Sequence, residues 1–81
     1  MHRVIAVHPL AGYRLEVIFS DGLAGVVDLS HLAGHGVFEA WLRPGEFEKA
    51  FVDPESDTVA WPGGIDLCPN RLHSDVADAV G

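Results

Sequence analysis

Five histidines, one cysteine and twelve acids are the groups in this 81-residue chain that could carry chemistry. His31 and His35 stand at i, i+4, the spacing at which two imidazoles on one helix can share a metal. Gly34 and Gly36 interrupt any rigid helix there, and no acid follows at the third-ligand spacing of a zincin. His2, His8 and His73 have no helical or strand relation to one another. Cys68 lies beside Pro69, with no CxxC partner and no adjacent base, so a buried, inert thiol is expected. Ser20, Ser30, Ser56 and Ser74 sit in no nucleophile elbow. The sequence therefore assigns no catalytic, cofactor-binding or metal residue, and the expectation is a protein that is not an enzyme and needs no cofactor.

The densest local signal is "TVAWPGGIDLCPN", residues 58–70. Val59 and Trp61 are two apart, so both can face a core. Pro62 forces Trp61 to be extended and cannot donate to a sheet ladder. Gly63 and Gly64 allow a sharp reversal, after which Ile65 and Leu67 alternate with Asp66, whose carboxylate could cap the turn. A strand end and a turn account for every residue. Two functional readings stand beside that one. An anion-cradling glycine nest lacks the Lys and Ser/Thr of a phosphate loop, and Asp66 would repel a phosphate. An exposed recognition turn would use Trp61, Gly63, Gly64 and Asp66.

The composition limits what such residues can be built on. A chain of this length is expected to form one domain, residues 1–81, and to bury only roughly 60–65% of its unfolded surface. One Cys permits neither an intrachain disulfide nor a thiolate zinc site. Stability must come from an apolar core, which 48% hydrophobic residues allow, extended by a partner or a second copy. Met1-His2-Arg3 leads into only a short apolar run, so no signal peptide is expected, and no stretch reaches the roughly 18 apolar residues of a membrane span. Five scattered bases against twelve acids give a net charge of −7, a field that repels nucleic acid and suits a basic protein.

Periodicity supplies the elements. "RVIAV" reads as a first strand ending at His8-Pro9, followed by a turn with Gly12 at positive φ. "YRLEVIF" alternates, with Tyr13, Leu15, Val17 and Phe19 on one face. Asp21-Gly22 signals a hairpin, and "LAGVVDL" is the return strand. Val37, Phe38, Trp41 and Leu42 form a helical stripe that stops before Pro44. Phe47 closes a second short helix. "KAFVD", "PESD" and "TVAW" make a second hairpin over residues 49–61. Leu72, Val76 and Val80 recur every four residues after Pro69, predicting a C-terminal amphipathic helix. The fold class is α+β: an antiparallel three-strand meander plus a second hairpin, with short helices packed on the sheet. Leu15, Val17, Phe19, Val27, Phe47, Val59 and Trp61 are the expected core.

The order "HPLAGYRLEVIFSDGLAGVVDLS", "GVFEAWLRPGEFEKAFVD", "TVAWPGGIDLCPNRL" resembles the bacterial domain-of-unknown-function family number twenty-four forty-two over nearly the whole chain. Its pattern maps onto Tyr13 and Leu15, Phe19, Asp21 and Gly22, Val27, Asp28 and Leu29, Phe47, and Trp61, Pro62, Gly64 and Asp66. This chain has Gly63 where that family often carries Asn, and His73 where Tyr is common. The resemblance implies a small α+β fold and a cytoplasmic bacterial protein, and it supplies no catalytic residues. Members are often encoded beside small toxin-like proteins, which implies an antitoxin-like role. Some members carry a helix-turn-helix after this domain, and with Gly81 closing the chain none is expected here. The expected activity is that of a non-catalytic interaction module, the partner of a small basic toxin encoded nearby. It is expected to be a homodimer, with neither nucleic acid nor membrane as partner. The alternative is a small-ligand or metal-binding domain near the "WPGGID" turn.

Overall fold

The computed structural model describes residues 2–80. Strands β1 (Val4–Leu10), β2 (Arg14–Phe19) and β3 (Ala24–Asp28) form an antiparallel meander in that order. Val4 and Val7 both lie opposite core residues, Phe19 and Val17, although three residues apart. A register shift between Val4 and Ala6 reconciles that spacing with the two-residue pleat, leaving Ile5 as the extra, exposed residue. β1 runs on through Pro9, which pairs with Leu15. A proline is tolerated there because β1 is an edge strand of its sheet.

The β1–β2 turn uses Gly12 at φ 78, as expected, and also Tyr13 at φ 59. Positive φ in an aromatic residue is uncommon. It places the Tyr13 carbonyl where it accepts the Leu29 N–H at 2.8 Å, tying the meander's exit back to its first turn. At the β2–β3 turn, Gly22 takes φ 94 and the Asp21 carboxylate accepts the Leu23 N–H at 2.9 Å.

After Leu29 the chain runs through turns into a 3-10 helix, Gly36–Leu42, and a second, Phe47–Lys49. The expected helical stripe is split by that tighter period. With three residues per turn, Phe38 and Trp41 share the inward face, while Val37 and Leu42 are exposed. The second hairpin, β4 (Phe51–Asp53) and β5 (Thr58–Trp61), gains a third strand, β6 (Ile65–Asp66), so a second three-stranded sheet has the order β4-β5-β6. All four residues of β5 are buried.

Helix α1 (Pro69–Val80) lies on β3. Leu72 and Val76 are buried there, but Val80, the last residue of the expected stripe, is exposed. The close approach depends on Gly25: a Cβ at that position would sit 3.1 Å from Val76 Cγ1 and 3.3 Å from Val80 Cγ1. One core joins the two sheets and α1, and it contains all seven residues expected to be buried. Trp41, Phe47 and Trp61 form its aromatic centre, with Trp41 4.9 Å from Phe47 and 4.7 Å from Trp61 between ring centroids. Among the described residues, no helix is long and apolar enough to cross a membrane.

Candidate functional site

The "WPGGID" segment divides between core and surface. Trp61 is buried, and its indole N–H donates to the Phe47 carbonyl at 2.8 Å. That bond anchors β5 to the second 3-10 helix and turns the ring away from solvent. Gly63 and Gly64, at φ 98 and 84, make the reversal that lets Ile65 pair back with Trp61. Asp66 is not a turn cap. It lies exposed on β6 opposite Ala60, and its carboxylate makes no hydrogen bond among the described residues. Of the four residues of the sequence-derived recognition turn, Gly63, Gly64 and Asp66 are therefore on the surface, and Trp61 positions them from beneath. They border an open groove of about 230 Å³ that also includes Phe51 and Asp53.

The other sequence candidates separate. His31 and His35 lie in a run of turns, exposed, without the helix that would align them. Cys68 is exposed, not the buried thiol expected from its lack of a CxxC partner or an adjacent base. It follows β6 and precedes α1, where the chain crosses the surface. It borders a cleft of about 200 Å³ with Leu29, Leu32, Leu67, Arg71 and Leu72.

The acids are distributed over the whole surface. None of the twelve is buried. Three of the five bases are engaged within the chain: Arg3 with Asp57 at 3.4 Å, Lys49 with Glu46 at 2.9 Å and Arg71 with Asp75 at 3.3 Å. Arg14 donates to the Ala11 carbonyl at 2.9 Å. Glu39, Glu48 and Glu55 are exposed, whereas Glu46 and Asp57 are half-buried in their ion pairs. Asp28 is held below the usual carboxylate range, first by the Ser30 hydroxyl and then by the Ser30 N–H, which it accepts at 2.8 Å.

One constellation is absent from any local sequence pattern. His2, Asp21 and His73 converge at the end of the meander where the β2–β3 turn meets α1. The Ser20 N–H donates to the Arg3 carbonyl at 2.8 Å, extending the β1–β2 pairing outward and bringing His2 over the turn. His73, next to buried Leu72 on α1, presents its ring to the edge of Phe19 at 4.8 Å and to His2 at 3.5 Å, nearly parallel. His73 Nε2 is 2.8 Å from Asp21 Oδ2, and His2 Nδ1 is 4.0 Å from the same oxygen. The Leu23 N–H, then His73, lower the Asp21 pKa.

The chain belongs to the family described as protein of unknown function (DUF2442), which it matches over residues 4–75. It is also similar to the mouse patatin-like phospholipase domain-containing protein 7, with 29% identity over 55 residues. Those residues are 68% of this chain but 4% of the mouse protein, so the likeness spans a small part of that protein's length. No solved structure matches the chain.

Proposed function

We propose that this protein acts by binding a basic protein partner, in the manner of an antitoxin that neutralises a small basic toxin encoded beside it. The observation that supports this reading is the placement of charge. Every acid is at or near the surface, and twelve acids against five bases leave a net charge of −7. The field that reaches solvent is thus strongly negative and accelerates encounter with a cation-rich surface. The contact centres on the Gly36–Leu42 segment and the residues after it. There Glu39 and Leu42, three apart on a 3-10 helix, share an outward face beside Val37, which is 65% exposed. Glu48 continues the acidic rim. An apolar centre with a charged rim is the usual anatomy of a protein–protein contact.

The test is co-expression with the small basic protein encoded beside this gene and co-purification of the pair, repeated with Glu39→Lys and Glu48→Lys. A stable complex that the two charge reversals weaken supports the reading. Absence of a complex at low salt, together with a metabolite retained through native purification, overturns it in favour of a ligand site at the Gly63–Asp66 turn.

A further inference from the structure

We propose that His2, Asp21 and His73 form a binding site for a divalent transition-metal ion of the zinc type. Each side chain offers one ligand atom, and the three atoms lie within 4.8 Å of one another. In a tetrahedral site with bonds of about 2.0–2.1 Å, ligand atoms are about 3.3 Å apart. The Asp21–His73 and Asp21–His2 separations, 2.8 and 4.0 Å, fall on either side of that value.

The chemistry of the three donors selects the ion. Two imidazole nitrogens and one carboxylate oxygen suit zinc, nickel or copper, whereas magnesium and calcium call for oxygen ligands throughout. The carboxylate is oriented before any ion arrives. Asp21 Oδ1 accepts the Leu23 N–H at 2.9 Å, which leaves Oδ2 directed at both histidines. A ligand carboxylate held by a backbone amide is the usual support around a metal. His73 is fixed by the edge of Phe19 and has a side chain only 18% exposed. His2 is the adjustable member. Its ring is stacked on His73 and its side chain is 39% exposed, so it can rotate out of the stack to bring its nitrogen into the plane of a shared ion. Without an ion, both rings compete for one oxygen, and His2 stays beyond hydrogen-bond distance of it. An ion satisfies all three groups at once. It would join the segment before β1, the β2–β3 turn and α1, so binding should stabilise the folded chain by mass action.

The experiment uses the full chain without a polyhistidine tag, stripped with chelator and titrated with Zn²⁺ by calorimetry, native mass spectrometry and thermal melting. One ion per chain and a raised melting temperature are expected, with no effect from Mg²⁺. His73→Phe keeps the stacked ring and its contact with Phe19, and Asp21→Asn keeps the acceptor for Leu23. Each, like His2→Ala, should weaken affinity on the order of tenfold or more, while His35→Ala leaves it unchanged. Cobalt in place of zinc should give the visible absorption of a four-coordinate ion, lost in His73→Phe. Absence of saturable Zn²⁺ binding, or a stoichiometric ion that survives unchanged in both His2→Ala and His73→Phe, overturns the proposal.

Discussion

Replacing Trp61 separates the two parts its side chain plays. The residue is 3% exposed, its ring lies 4.7 Å from Trp41 and 5.8 Å from Phe47, and its N–H donates to the Phe47 carbonyl at 2.8 Å. Truncation to Ala in such a site costs about 3–5 kcal/mol in lost burial and residual cavity. The lost hydrogen bond adds about 1 kcal/mol and not more, because the Phe47 carbonyl also accepts the Ala50 N–H at 3.3 Å and is not orphaned. A chain of this size has roughly 4–12 kcal/mol of stability in all, so Trp61→Ala takes a third of it or more. Trp61→Phe is the sharper probe. It keeps most of the ring and removes the donor, for an expected loss of about 2 kcal/mol, near half from the hydrogen bond. Equilibrium urea unfolding, followed by circular dichroism with Trp41 fluorescence as a second probe, measures both variants, and an unchanged slope keeps the comparison valid. A loss under about 0.5 kcal/mol for Trp61→Phe, or under about 1 kcal/mol for Trp61→Ala, would refute the buried, hydrogen-bonded placement and return Trp61 to the surface as a recognition residue.

Gly25→Ala should destabilise by about 1–2 kcal/mol, because the new methyl meets Val76 and Val80 and α1 must shift to admit it. Thermal melting checks this, and an unchanged melting temperature would show that α1 does not sit closely on β3. Asp21 and Asp28 both have lowered pKa values, Asp21 chiefly through the Leu23 N–H and Asp28 chiefly through Ser30. Since the folded pKa lies below the unfolded one, their contribution is present above the unfolded carboxylate value, about pH 4, and disappears as pH falls through the folded values. Asp28→Asn should therefore lower stability at neutral pH and flatten the acid limb of a stability–pH curve, and an unaltered limb would contradict the assignment. We also propose a homodimer; sedimentation across the micromolar range should show a species near twice 8.7 kDa, and the 8.7 kDa species alone would reject it.

Which features were readable from the chain follows from how local their causes are. Alternation in "YRLEVIF", the Asp-Gly turn and the β-rich "TVAW" act over two to six residues, and they place the meander, the second hairpin and every core residue expected on their strands correctly. The helical stripe at 37–42 fails where the tighter 3-10 period changes which residues share a face. Cys68 is exposed because the short link between β6 and α1 crosses the surface, a consequence of tertiary path that its neighbours do not encode. Asp66 appears to the local pattern as a turn residue because β6 has only two residues. The His2–Asp21–His73 group spans most of the chain, and no local pattern reveals it. His2 comes to face Asp21 only through the register shift between Val4 and Ala6; the inner register, with Ala6 opposite Ile18, would carry it to Gly22 instead. The arrival of His73 depends on how α1 docks, which no local spacing reveals.

We propose that the acidic surface recruits a basic protein. The most direct test is the association rate with the proposed small basic partner, measured by stopped flow at two ionic strengths. Raising salt from about 0.01 to 0.15 M shortens the screening length from about 30 to 8 Å. The association rate should then fall by about tenfold or more, while dissociation changes little, and Glu39→Lys with Glu48→Lys should reduce the salt dependence. A rate that does not respond to salt, or no association at the lower ionic strength, would contradict the claim.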